Sequence, residues 1–148
     1  MGVCNACDHP GGKEKIKVEY FGMGYARADP IRFLLHHANV DFEYVGYDFE
    51  TWGKMKAEGK GGEFGGLPRA TVNGKEMGQS MAILRSLGQK YGYYNASDWK
   101  SSYFADVILD SWVDLHDNSN GAVMGGKTPA EHEEIITKFH IPHLNLME

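Results

Sequence analysis

Several small groups of residues in this 148-residue chain have side chains and spacings that could do chemistry. Cys4 and Cys7 form a C-x-x-C pair, which supplies two of the four ligands of a structural zinc, with His9 as a weak third. The same segment offers another use: a myristoyl group on Gly2 and a palmitoyl group on Cys4 or Cys7, the two anchors that stable membrane attachment needs. Ala6 stands where the acceptor pattern wants Ser or Thr, so a disordered polar leader is the plainer reading. His36 with His37, and His140 with His143, have metal-compatible spacing but no complete donor set, and they read as ordinary helix histidines. Tyr20 closes a strand pattern, where its phenol can donate a hydrogen bond to an anion or simply pack. Ser80 opens a helix pattern, where free backbone N–H groups and the helix dipole draw an anion, and where the same hydroxyl can serve as an N-cap.

The elements that must position these residues follow from periodicity. Ile16, Val18 and Tyr20 alternate with polar Lys15, Lys17 and Glu19, which predicts a half-buried strand. Asp29 is placed to cap a helix that starts at Pro30 and uses Ile31, Leu34, Leu35 and Ala38. Phe42, Tyr44 and Val45 predict a second strand, and Thr51 to Glu58 a short polar helix. Gly59 to Gly66 is a glycine-rich loop that runs into Leu67-Pro68. Ala70 to Val72, Asn73-Gly74 and Lys75 to Met77 make a hairpin, because Asn-Gly tolerates the positive φ angles of a type I′ turn. Ser80 is expected to cap a third helix, with Ile83, Leu84 and Leu87 on one face, closing at Lys90-Tyr91-Gly92. The order is β-α-β-α-β-β-α.

Beyond Tyr94 the strand signals stop. Asp98 to Asp117 reads as one long helix with Tyr103, Phe104, Val107, Ile108, Trp112 and Leu115 on or near one face. Thr128-Pro-Ala-Glu131 has the form of a capping box ahead of Ile135, Ile136 and Phe139. The expected organisation is a flexible leader over 1–14, an α/β domain over 15–94 and an all-helical region over 95–148.

Composition sets the class of partner. A formal charge of -5 without a long basic run argues against nucleic acid. No apolar run approaches bilayer length, and the N-terminus lacks a secretory pattern, so the expectation is a cytoplasmic protein with a small-molecule ligand.

Four segments, Val18-Glu-Tyr-Phe21, Arg27-Ala-Asp-Pro-Ile-Arg32, Gly66-Leu-Pro68 and Gln79-Ser80-Met-Ala-Ile83, stand in the order found in the glutathione transferases. The chain resembles that family, and most closely its sigma class, the class that includes prostaglandin D synthase of the haematopoietic type. The likeness covers Lys15 to about Tyr94 and continues less sharply through Asp106-Val-Ile-Leu-Asp110 and Asp114.

The resemblance implies an α/β thioredoxin-like N-terminal domain followed by an incomplete all-α C-terminal domain. It implies that Tyr20 hydrogen-bonds the glutathione thiolate, with Phe21 beside the sulfur and Arg27 supporting the tyrosine. It implies a cis bond at Leu67-Pro68, with the Leu67 backbone pairing the tripeptide as an added strand. Gln79 and Ser80 would hold the γ-glutamyl carboxylate. Trp52 and Lys56 would hold the glycyl end, although a loop longer than the sigma pattern leaves Lys54 or Lys60 as alternatives to Lys56. Asp114 would reach the glutathione amino group of a neighbouring subunit in a homodimer. Glutathione is then the co-substrate, no metal is implied, and the second substrate is a small hydrophobic electrophile. Family members usually continue through further helices, so the faces of the last helices are expected to seek another chain. The alternative function is a non-catalytic binding or structural subunit on the same fold.

Overall fold

The alternation read in Lys15 to Phe21 builds the strand around which the rest is ordered. The computed structural model describes residues 14–22, 26–124 and 128–145, with side chains described except at 120–124, 139, 143 and 144. Gly2, Cys4, Cys7 and His9, with the leader through residue 13, and the side chain of His143 lie outside the described residues. The chain divides into two units, Met1–Asn95 and Ala96–Glu148.

In the first unit the elements are β1 (Ile16–Phe21), α1 (Asp29–His37), β2 (Glu43–Tyr47), α2 (Phe49–Ala57), β3 (Arg69–Val72), β4 (Lys75–Met77) and α3 (Ser80–Lys90). The sheet runs β2-β1-β3-β4, with β1 parallel to β2 and antiparallel to β3. A crossover helix is what a parallel β1/β2 pair requires, and α1 supplies it. Asn73 at φ 51° and Gly74 at φ 86° form the tight hairpin expected between β3 and β4.

One face of the sheet is apolar. Ile16 and Val18 of β1 and Ala70 of β3 pack against Ile31 and Leu35 of α1 and Ile83 and Leu87 of α3. Each of the large aliphatic side chains in this cluster contributes about 2 kcal/mol by leaving water.

The other face is different, and it corrects the reading of Glu19 as an outward polar residue. Glu19 is only 1% exposed. Arg69 grips its carboxylate through Nε at 2.9 Å and Nη2 at 3.0 Å, and the Tyr47 hydroxyl donates to it at 2.5 Å. Trp52 of α2 stacks on Tyr47 at 5.9 Å, and the Arg69 guanidinium lies 5.6 Å from the Trp52 ring centre. The charge is buried because α2 covers this face, and it is tolerated because both oxygens of the carboxylate meet donors.

Three helix starts differ from expectation. Asp29 is not the cap of α1 but its first residue. Its Oδ2 accepts from the Ala26 N–H at 2.6 Å and its Oδ1 from Arg32 Nη1 at 2.9 Å, so the carboxylate holds the preceding turn instead of the helix amides. Helix α2 begins at Phe49, because Asp48 accepts from the Thr51 N–H and caps it two residues earlier than read. Helix α3 has Gln79 at its N-cap and Ser80 as its first residue, with no side-chain cap bond.

The second unit contains α4 (Trp99–Met124), α5 (Pro129–Ile135), a π-helical turn (Ile136–His140) and α6 (Ile141–Asn145). Helix α4 runs seven residues past the expected Asp117. Asn118 Nδ2 and Ser119 Oγ donate to the carbonyls of Asp114 and Leu115 at 2.8 and 2.7 Å, so these polar residues bond back into the helix instead of ending it. The Thr128/Glu131 capping box forms as read. None of the described side chains of this unit is buried.

Candidate functional site

Tyr20 stands near the C-terminal end of β1, 8% exposed, with its ring edge-on to Phe21 at 5.3 Å. Burial pushes its phenol above the ordinary value, against a hydrogen bond from the Arg27 backbone and the Arg27 charge, which act the other way. The hydroxyl therefore keeps its proton at neutral pH and is available as a donor.

The turn that brings Arg27 to Tyr20 is held from several sides. Asp29 fixes Ala26 and pairs with Arg32, and the Arg32 guanidinium lies 4.5 Å over the Tyr44 ring. Tyr44 in turn donates to the Phe21 carbonyl at 2.9 Å. Gly22 and Gly46 let β1 and β2 approach: a Cβ on Gly46 would lie 2.9 Å from the Gly22 Cα.

A cleft of about 80 Å³ is lined by Arg27, Phe64, Gly66, Leu67, Pro68, Gln79 and Ser80. Leu67-Pro68 is cis. At the head of α3, the first intrahelical bond runs from the Ile83 N–H to the Gln79 carbonyl, leaving the N–H groups of Ser80, Met81 and Ala82 without a partner inside the helix. Gln79 sits at φ 66°, a left-handed conformation that costs a non-glycine residue about 1 kcal/mol or more and concentrates at ligand sites. Amides without a helical partner, a dipole end and the Ser80 side chain lining the cleft are together suited to seat an anion.

Of the residues singled out from sequence, the cleft gathers Arg27, Leu67, Pro68, Gln79 and Ser80, and Arg27 connects it to Tyr20. Phe21 packs between Tyr20 and Phe49, the latter at 4.8 Å. Trp52 does not line the cleft: it is 6% exposed and its ring is engaged by Tyr47 and Arg69. Lys56 is exposed in the last turn of α2, with its stem beside Gly61. The two alternatives to it are held in surface ion pairs, Lys54 with Glu50 and Lys60 with Glu58, at 2.6 and 2.7 Å. Asp114 is exposed on α4 in the second unit.

The sequence reading missed Phe64, which lines the cleft, and the Glu19–Arg69 pair beneath it. Bonds from Arg69, Tyr47 and Lys17 overcome the effect of burial and hold the Glu19 carboxyl below its usual range. An acidic residue and a basic residue on neighbouring strands were visible as residue types, but 50 positions of sequence separate them. Among the described residues, no cluster of three or more His, Cys, Asp or Glu could hold a metal, and no helix is long and apolar enough to cross a membrane.

No protein-family model matches the chain. It is 37% identical over 99 residues to glutathione S-transferase 4 of Caenorhabditis elegans, covering 67% of this chain and 45% of that protein. It is 32% identical over 128 residues to the probable glutathione S-transferase 6 of the same organism, covering 85% of this chain and 60% of the relative. The chain thus spans about half the length of the curated relatives it matches. Among solved structures, a Nu-class glutathione transferase from Haemonchus contortus superposes with a TM-score of 0.62 at 33% identity, over 73% of this chain and 50% of that one.

Proposed function

We propose that this chain, which has the fold of the glutathione transferases and is related to them in sequence, binds glutathione in the Leu67/Ser80 cleft and activates its thiol through Tyr20. The observation that carries the reading is the convergence of Arg27, Leu67, Pro68, Gln79 and Ser80 on one cleft, with the Arg27 backbone on the Tyr20 hydroxyl.

The γ-glutamyl carboxylate takes the amides at the head of α3, with Ser80 and Gln79 around it. The cysteinyl backbone pairs with the N–H and C=O of Leu67, as an added strand held by main-chain geometry. Exposed Lys56 balances the glycyl carboxylate, while Trp52, expected from the resemblance to share this role, is packed between Tyr47 and Arg69 and supports α2 instead of touching the ligand. The sulfur lies against Tyr20 and Phe21, with the Arg27 charge nearby.

The chemistry is a matter of protonation. A free thiol with a pKa of about 8.5 is only about 3% thiolate at pH 7, and lowering that pKa by two units makes it about 75%. Such a shift takes roughly 2.7 kcal/mol, within the range of one charge-assisted hydrogen bond. A phenol whose own pKa burial has raised is suited to supply that bond without losing its proton. The thiolate then attacks a small hydrophobic electrophile, forming a carbon–sulfur bond or opening the way to isomerisation.

The four sequence motifs favour the sigma class. Asp114 is proposed to meet the amino group of glutathione held by a second copy in a homodimer, and the compartment is proposed to be the cytoplasm. The test is Tyr20→Phe. It should bind glutathione with unchanged affinity and lower kcat about a hundredfold, with the ultraviolet absorbance of bound thiolate lost at neutral pH. Equal turnover by the two proteins would remove Tyr20 from the mechanism.

A further inference from the structure

The glycine-rich stretch between α2 and β3 looks in sequence like a flexible connector, yet it supplies the wall of the cleft. Phe64, Gly66, Leu67 and Pro68 all line it. Its fixed points are few. The Lys60 N–H bonds the Met55 carbonyl at 2.8 Å, and Gly65 N–H closes a turn on the Gly62 carbonyl at 3.2 Å. The Phe64 ring lies over Gly78 so closely that a Cβ there would collide with Cδ2 of the ring.

The remaining tie comes from below. Arg69, almost wholly buried, uses Nε and Nη2 on Glu19 and turns Nη1 to the Lys60 carbonyl at 3.0 Å, with Glu76 Oε2 3.5 Å from the same nitrogen. One guanidinium therefore joins the central strand to the start of the loop, while Arg69 itself immediately follows Pro68 at the loop's end. The segment 60–69 is closed on itself by a side chain anchored in the sheet. A lysine could match the Glu19 charge, but a single ammonium lacks the planar fork that bonds the carboxylate twice and the carbonyl once.

We propose that Arg69, oriented by Glu19, is a positioning residue for the glutathione-binding wall: it fixes the 60–67 segment so that the Leu67 backbone meets the tripeptide already ordered. This rests on the assignment of the cleft to glutathione. Tyr20 receives its own support from Arg27, and as the neighbour of Glu19 on β1 it faces the opposite side of the sheet from the Arg69 fork, so the device acts on binding and not on the thiol.

The experiment compares the full chain with Glu19→Leu/Arg69→Met and with Arg69→Lys. Replacing both members of a buried ion pair by apolar residues of similar volume is commonly tolerated, so the double variant is expected to fold, and Arg69→Lys provides a second case that keeps the charge. Glutathione affinity is measured by calorimetry, KM and kcat with a chromogenic aryl halide, and amide hydrogen exchange across 60–67 without ligand. In both variants Kd and KM for glutathione should rise about tenfold, the cost of ordering a segment on binding, with kcat and the pH at which bound thiolate forms unchanged. Exchange should quicken in 60–67 and stay the same in β1 and α3. Unchanged Kd and loop exchange in a folded variant would overturn the role of Arg69 while leaving the cleft assignment intact. A fall in kcat with unchanged KM would overturn it also, by placing its effect on the thiol. A wild-type chain that takes up no glutathione would overturn the cleft assignment and this inference with it.

Discussion

The two units of this chain hold their structure in opposite ways. In the first, Ile16, Val18, Ile31, Leu35, Ala70, Ile83 and Leu87 close a core from which water is excluded, and a buried ion pair stands on the other face of the same sheet. In the second, no described side chain is buried, and the large apolar residues Trp99, Tyr103, Phe104, Val107 and Ile108 of α4 are exposed, Trp99 to 72%. Its described support is mostly local: a capping box, back-bonded Asn118 and Ser119, and a Glu134–Lys138 pair, with Ser119 Oγ also hydrogen-bonded to His140 Nε2 at 3.0 Å across from α4 to the π-helical turn. Local terms of this kind are worth tenths of a kcal/mol to about 1 kcal/mol each, against several for a core residue. The lesson is that the cleft belongs to the unit whose geometry is fixed by tertiary packing, and that its precision does not depend on helix propensity.

Substitutions should separate the two regimes. The largest effect is expected from Arg69→Met alone, which strands the Glu19 charge in the protein and should cost about 4 kcal/mol in denaturant unfolding of the first unit. The same pair sets an acid limit. The folded-state pKa of Glu19 is depressed, so its contribution is fully present above the unfolded carboxylate value of about 4.3 and is lost as pH falls through the lower folded value. The melting temperature of Glu19→Leu/Arg69→Met should therefore fall less than that of the wild type as pH drops from about 5 to about 3. A parallel fall would remove Glu19 from the account.

Next in size, Leu35→Ala in the core should cost about 3 kcal/mol, whereas Ile108→Ala on α4 should stay within about 0.5 kcal/mol. Equal losses at the two positions would mean that the α4 face is covered in solution, and sedimentation would show by what. Smaller than the core loss is that of Thr128→Ala, which removes the cap of α5 and should cost about 1 kcal/mol, read as lost helical circular dichroism without change in the first unit's unfolding.

What the sequence made legible was local. The β1 strand, the Asn73-Gly74 turn and the Thr128 box each rest on signals within a few residues, and each stands where it was read. The fold class and the Leu67-Pro68 cis bond came from resemblance to a family, not from periodicity. What was illegible depended on partners far along the chain. Glu19 looked like the polar half of an alternating strand because nothing near it announces Arg69 or the covering Trp52. Phe64 looked like a loop residue because Gly78, its seat, belongs to the end of a hairpin. Asp29 and Ser80 were the right residue types for caps, but the turn at Ala26 claimed one carboxylate and the left-handed Gln79 moved the other helix start by a residue.

The central claim is that the cleft beside Leu67 and Ser80 receives glutathione, and calorimetric titration of the 148-residue chain with the reduced tripeptide tests it most directly. Saturable heat near one glutathione per chain, weakened by Ser80→Ala, is the predicted result. A folded chain that gives no heat and no change in melting temperature at millimolar glutathione would contradict it.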